Sequence, residues 1–483
     1  MRFATCLSFL LLTTLGLNAQ DRTTPWTLER AVAYAYENNL QVRQLNNISN
    51  IAQIQARQAR NNRLPSLNGS TNVGLQFGRT VDPTTNTFDQ QTIGFQGYQL
   101  QGNVLLYNGG AIKNSLRQAE LDRAAAETDA KVTRNNIGLQ VANQYLTIVL
   151  LNEQLRNAQA QLDLIQSQLQ NTDRLISAGS VPRAQRFDLV AQVAANQRSI
   201  VELENQRNIS KLTLQLLLEL DVTDDFDIAT PELEPTEEQL FQEYDVNEVL
   251  QSARGVQPTI AAAQLRQESA ALGIELAKSG LRPTVSLFGS LSTNYSSVSK
   301  DFQNPDASNA TIVQGQPVPV FINGEQSTLA QGSLTGLVFP NIGYFDQLDR
   351  NFGQSVGMAL QVPIFSQGRN KTNVQLAEVQ RQNAGLDIEQ AENQLRNDVQ
   401  LALADLRAAR ESYRASQVSL EAAELAYENT DKLFRAGAAN SLDVVTATNR
   451  LDQARTEFTR AKFQLIFNRQ VIQFYLGRGL SLE

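Results

Sequence analysis

The sequence predicts a mainly α-helical, exported protein of two similar halves, each inserting a pair of β-strands between long coiled-coil helices. Three observations carry this expectation. The chain begins like a secretory leader, one order of elements occurs twice, and the longest segments keep a sustained three/four apolar step.

Arg2, an apolar run from Cys6 to Leu17 and the exit Asn18-Ala19-Gln20 read as a signal peptide over residues 1–19. The run is too short to cross a bilayer as a helix, and no later stretch holds 18 consecutive apolar residues. Cys6 is the only cysteine and lies in that leader, so the mature chain is expected to have neither disulfides nor thiol chemistry. A net charge of −8 leaves no basic footprint for nucleic acid. With no histidine, the usual general base and the usual zinc ligand are missing. No Gly-rich phosphate loop follows a strand, and no enzyme, cofactor or metal site is expected.

The first half is expected over 20–246 and the second over 247–483. A helix over 27–62 ends at Leu64-Pro65, and one over 247–280 ends at Arg282-Pro283. Proline forbids continuation and pushes its predecessor toward extended geometry. Beyond each proline the period becomes two. Leu67, Thr71, Val73 and Leu75 alternate with Asn68, Ser70 and Asn72; Val285, Leu287 and Leu291 alternate with Ser286 and Ser290. Strands are expected at about 65–78 and 93–107, then at 284–297 and 353–365. In the second of these Tyr98, Leu100, Val104 and Leu106 share the apolar side, and in the last Val356, Met358, Leu360, Val362 and Ile364 do.

The polar sides are Ser, Asn, Gln and Gly with almost no charge, which fits a membrane β-barrel that is apolar outside and watery inside. Four strands cannot close a barrel, and open edges in lipid would leave backbone groups unpaired, so the barrel must be shared among subunits.

Each second strand leads through a glycine turn into a long helix, 112–178 and 369–436. Each of these would be about 100 Å long at the α-helical rise. Leu155, Ala158, Leu162, Ile165 and Leu169, and likewise Leu395, Val399, Ala402, Leu406 and Ala409, step by three and four in turn. Shorter helices return over 182–220 and 440–477. The linker 221–246 holds ten acidic residues and no Lys or Arg. The loop of about 299–351 far exceeds its counterpart of about 79–92, and reads as a lid, a surface contact or tolerated decoration.

This twice-repeated order resembles the TolC family of outer-membrane efflux proteins over essentially the whole mature chain. The residues that carry the likeness are Leu28-Glu29-Arg30-Ala31-Val32 with Asn38-Asn39, the turns ending in Gly110 and Gly368, and Leu433-Phe434-Arg435-Ala436-Gly437-Ala438-Ala439-Asn440-Ser441-Leu442-Asp443-Val444-Val445. The resemblance implies a homotrimer in outer-membrane lipid, with a 12-stranded β-barrel above a 12-helix periplasmic α-barrel tunnel. Its implied partners are a periplasmic adaptor (membrane fusion) protein and an inner-membrane transporter of RND or ABC type.

The implied adaptor contacts are the helix turns, at Gly179 with Ser180 and at Gly437 with Ala438. The implied constriction includes two acidic positions one turn apart. Asp443 matches the first, and Thr446 stands at the second. Phe434 falls at an aromatic constriction position, Ala439 replaces a basic latch residue, and Asp188 is a loose first-half match. The competing expectation is a structural coiled-coil envelope or surface protein without transport activity.

Overall fold

The computed structural model describes residues 25–81, 88–90, 92–223, 226–231, 236, 242–329, 332–335 and 337–479. The expected signal peptide and much of the acidic linker lie outside the described residues. The chain divides into two compact units. One comprises Met1–Ile54, Glu120–Ala270 and Gln380–Glu483; the other comprises Gln55–Ala119 and Ala271–Val379.

In chain order the first helices are α1 (Leu28–Asn38), α2 (Leu40–Asn61), α3 (Ala111–Ser177) and α4 (Ala184–Leu218). They are followed by α5 (Val246–Val256), α6 (Pro258–Ser279), the short α7 (Tyr344–Arg350), α8 (Arg369–Arg435) and α9 (Ser441–Tyr475). Leaving α7 aside, lengths of 11, 22, 67 and 35 residues occur in that order in both halves.

The segments expected as single helices over 27–62 and 247–280 are each two helices. Asn39 interrupts the first with an extended backbone (φ −58°, ψ 131°). Its buried amide donates to the Leu217 carbonyl at 2.9 Å and accepts from the Gln41 N–H at 3.0 Å, so the side chain replaces the missing helical bonds. Gln257 interrupts the second, at ψ 122°, because Pro258 disfavours a helical predecessor. Thr27, the expected first residue, is instead the cap of α1, and its hydroxyl accepts from the Arg30 N–H.

The helical unit buries two apolar clusters. Leu28, Val32 and Ala35 of α1 pack with Ile137, Val141, Tyr145 and Ile148 of α3 and with Leu214 and Leu218 of α4. Val249 and Ala253 of α5 pack with Leu395, Val399, Leu403 and Leu406 of α8 and with Leu465 and Ile472 of α9. A short helix, a long helix and a returning helix thus supply most of each cluster, with Phe226, Ile228 and Phe463 added to the first and Ile260 to the second. The hydroxyl of fully buried Tyr145 lies 2.6 Å from the Ala229 carbonyl and 3.0 Å from that of Trp26. Burial raises its pKa, and the nearby Glu29 carboxylate adds to the effect.

The other unit holds a four-stranded antiparallel sheet, β1-β4-β5-β10. Its strands are β1 (Ser66–Gln76), β4 (Ile93–Asn108), β5 (Thr284–Ser296) and β10 (Gly353–Gln361). The small hairpin β2 (Arg79–Val81) with β3 (Phe88–Gln90) joins β1 to β4. The insertion after β5 holds β6 (Thr311–Gln314), β7 (Val318–Ile322), β8 (Glu325–Leu329) and β9 (Gly332–Thr335) before α7. In it β7 pairs with β8 across the Asn323-Gly324 turn, and β6 pairs with β9.

Register decides which side chains share a face. Thr71 opposes Tyr98, Tyr98 opposes Thr293, Leu100 opposes Leu291, and Leu287 opposes Met358. One face therefore carries Leu67, Val73, Leu75, Leu100, Leu287, Leu291, Val356, Met358 and Leu360, all exposed. No residue of the four strands is charged.

Two expectations change here. A bulge between Leu105 and Tyr107 shifts the phase, so Tyr107 rather than Leu106 opposes Val285 on the apolar face. The last strand stops at Gln361 rather than 365, because Pro363 offers no N–H to extend a ladder.

Candidate functional site: the two helix-turn tips

The tips lie where α3 turns into α4 and where α8 turns into α9. Both long helices end in the same way. Gly179 has φ +70° and donates to the Ile176 carbonyl at 3.0 Å, while the Ser180 N–H donates to Leu175 at 2.9 Å. Gly437 has φ +75° and donates to Phe434 at 2.9 Å, while the Ala438 N–H donates to Leu433 at 2.8 Å. These paired bonds satisfy the last helical carbonyls, and the left-handed residue that makes them possible favours glycine. A Cβ at either glycine would meet nothing within 4 Å, so the requirement comes from the backbone and not from crowding.

The returning helices begin differently. Before α4, Arg183 has helical geometry and makes no side-chain cap. The Gln185 and Arg186 N–H groups close tight turns onto the Pro182 and Arg183 carbonyls, each at 3.2 Å. An ion pair at 3.0 Å from Arg186 to Asp173 then ties α4 back to α3.

Before α9, Asn440 is extended and forms a reciprocal capping box with Asp443. The Asn440 amide oxygen accepts from the Asp443 N–H at 2.9 Å, and the Asp443 carboxylate accepts from the Asn440 N–H at 3.0 Å. The carboxylate therefore sits on the positive end of α9 and satisfies two otherwise orphaned donors together with its partner.

Of the residues expected at the constriction, the structure brings Asp443 and Thr446 together. Both line a groove of about 680 Å³ between α8 and α9, with Ala423, Thr430, Arg450 and Glu457. The small α8 side chains Ala422, Ala423 and Ala426 leave the room for it. Phe434 is half-buried near the end of α8 and is not part of the groove lining. Asp188 is exposed on α4 and also stands apart from that lining. Ser180 and Ala438 are exposed immediately beyond their glycines.

Deeper in the arms, polar contacts join the two hairpins. The Gln168 amide donates to the Tyr427 hydroxyl at 3.4 Å, linking α3 to α8. Asn157 donates to Thr459 at 3.1 Å, linking α3 to α9, and Gln192 donates to Asn449, linking α4 to α9. Burial pushes the Tyr427 phenol up. Burial also raises the Asp452 carboxyl, with the Arg455 guanidinium acting against it. Arg455 in turn bridges α9 to Glu424 of α8 at 3.1 Å. Gln161 is buried with neither amide atom bonded, so this seam contains polar groups without partners.

Sequence reasoning missed the structural role of Asn440. The Asn-x-x-acid pattern before an apolar run was the available signal. Gln168 gave no such signal, because its partner Tyr427 is distant in sequence.

The sequence profile of the family described as "Outer membrane efflux protein" matches residues 32–219 and 344–478. The outer membrane efflux protein BepC of Brucella suis is 21% identical, over 91% of this chain and 83% of its own length. The pyoverdine export outer membrane protein OpmQ of Pseudomonas putida is 23% identical, over 77% of this chain and 68% of its own. Among solved structures, the outer membrane protein VceC of Vibrio cholerae superposes with a TM-score of 0.72 at 17% identity, covering 94% of this chain and 97% of its own. Because the two profile segments cover well over half of the sequence, this chain belongs to the outer membrane efflux protein family.

Proposed function

We propose that three copies of this chain form an outer-membrane exit duct, whose helical tips engage an adaptor and an inner-membrane pump at the periplasmic end. The role is conduction and not catalysis, as family membership implies. The observation that carries the reading is the sheet. It exposes one uncharged, largely apolar face, and strands β1 and β10 each have an edge that no other described strand pairs.

In water such a face and such edges would invite aggregation; in lipid the face is solvated, but the edges must still be paired. Pairing β1 of one copy with β10 of the next closes twelve strands from three four-stranded sheets. Exposed aromatics flank the apolar band. Phe77 and Phe352 lie toward the loop end, Tyr107 and Phe365 toward the helix end, as in the girdles of membrane barrels.

The two halves act as structural repeats, and the matched helix lengths support this. Residues 1–19 serve as the export signal. Gly179, Ser180, Gly437 and Ala438 stand at the adaptor-facing tips. Asp443, with Thr446 and Phe434 nearby and Asp188 on the neighbouring arm, narrows the entrance. Three Asp443 carboxylates around one axis would favour cations.

Cysteine pairs test the assembly, one placed at Ser70 or Asn72 on β1 and one at Ser355 or Ala359 on β10. In a Cys6→Ser background, oxidation of outer membranes should yield covalent trimers from at least one pair. Monomers from every pair would overturn the shared barrel.

A further inference from the structure

We propose that α7 rests on the lipid-facing side of the sheet and seats the 299–351 insertion at the outer lipid–water boundary, with Phe345 and Phe352 in contact with lipid. The inference rests on the barrel reading above and adds the place and partner of a segment that reading leaves unassigned. The family profile resumes only at Tyr344, so most of the insertion lies outside its match.

The first support is how α7 is held. Gln347 is almost fully buried. Its amide oxygen accepts from the Ser296 N–H at 2.9 Å, and its amide nitrogen donates to the Ser296 carbonyl at 3.0 Å and to Ile342 at 2.9 Å. β10 pairs with β5 only from Gly353 opposite Ser292. Beyond that point a side-chain amide does for Ser296 what a strand neighbour would do. Asn351 adds a bond to the Asn294 carbonyl at 2.8 Å. Two amide side chains thus cover an edge that the sheet leaves bare, which fixes α7 against β5.

The second support is the face on which α7 lies. The Tyr344 hydroxyl donates to the Gln96 amide oxygen at 2.8 Å and is 2.9 Å from the Tyr98 hydroxyl. Its ring centroid is 4.9 Å from that of Tyr295. The Thr293 hydroxyl donates to the Leu348 carbonyl at 2.6 Å. Gln96 opposes Tyr295, and Tyr98 opposes Thr293 and Thr71. All four contact residues therefore share the face of Leu100, Leu291 and Val356. The insertion is rooted outside the wall, not on its watery side.

The third support is what α7 leaves uncovered. Phe345 is 81% exposed and Phe352 54% exposed, while the neighbouring Asp346, Asp349 and Arg350 are also exposed. Large aromatic rings beside charged groups, at the end of an uncharged apolar band, match the membrane interface, where rings sit at headgroup depth and charges reach water. A loop merely crossing the mouth of the duct would have no reason to place its rings on this side.

Site-directed spin labelling tests the proposal in the reconstituted full-length protein. Labels are placed singly at Phe345→Cys, Val356→Cys in the middle of the apolar face, and Phe321→Cys on the exposed insertion hairpin, all with Cys6→Ser. Collisions with oxygen and with a water-soluble nickel chelate report depth. The Val356→Cys label should be deep, the Phe321→Cys label in water, and the Phe345→Cys label shallow, with chelate access well below that of Phe321→Cys.

If Val356→Cys is in water, the barrel reading fails and this inference fails with it. If Val356→Cys is deep but Phe345→Cys matches Phe321→Cys, only this inference falls. Shielding of Phe345→Cys from both reagents would place it against another copy and also overturn the proposal. Phe352→Cys repeats the test if Phe345→Cys does not fold.

Discussion

The two tips end their first helix identically and begin their second by different means. At both, a glycine with positive φ closes the long helix through the same pair of backbone bonds. At the first tip the return is held by an ion pair between arms, Arg186 with Asp173, and α4 has no side-chain cap. At the second it is held locally by the Asn440–Asp443 box. The difference bears on the proposed entrance. A tip fixed within its own turn can keep its shape while its arms move, whereas a tip fixed between arms resists their separation. It also gives Asp443 two roles, since the carboxylate proposed for the entrance also caps its own helix.

This contrast can be broken or sharpened by substitution. The shared half predicts the largest effects. Gly179→Ala and Gly437→Ala should each cost about 1–2 kcal/mol from left-handed backbone strain. The two should agree, because neither site is crowded. Unequal losses in chemical denaturation would mean that the glycines do different work.

The unlike half predicts the next. Asn440→Ala should cost about 1 kcal/mol, while Arg183→Ala should be neutral because it caps nothing. Arg186→Ala should cost about 0.5 kcal/mol, fading in high salt as expected for an exposed pair.

The smallest effect concerns Asp452, whose carboxyl is raised by burial in the second arm. Ionising it is harder in the folded chain than in the unfolded one. Its destabilising contribution is absent at acid pH, develops as pH rises through the raised value, and persists above it. Asp452→Asn should therefore raise Tm slightly at neutral pH and leave it unchanged in acid. A Tm gain independent of pH would argue against the ionisation.

Much of the fold was legible because it rests on local signals. Pro65 and Pro283 marked the helix-to-strand changes, period-two alternation marked the strands, and Gly179 and Gly437 marked the tips. What sequence reasoning lost depended on partners far along the chain. The break at Asn39 needs the Leu217 carbonyl, and α7 needs the Ser296 edge, neither of which any local window displays. The bulge at Leu106 was missed because Leu105, Leu106 and Tyr107 are all apolar enough to hide a phase shift. At the tips, the glycines that end the long helices were legible, but the capping role of Asp443 was overlooked although Asn440 lay three residues before it.

Single-channel recording of purified trimers in planar bilayers tests the proposed duct most directly. Stable ohmic conductance is expected, rising with Asp443→Ala and rising less with Asp188→Ala, because Asp188 stands apart from the groove that Asp443 lines. Folded, membrane-inserted trimers that pass no current in either the parent or the Asp443→Ala protein would contradict an exit duct.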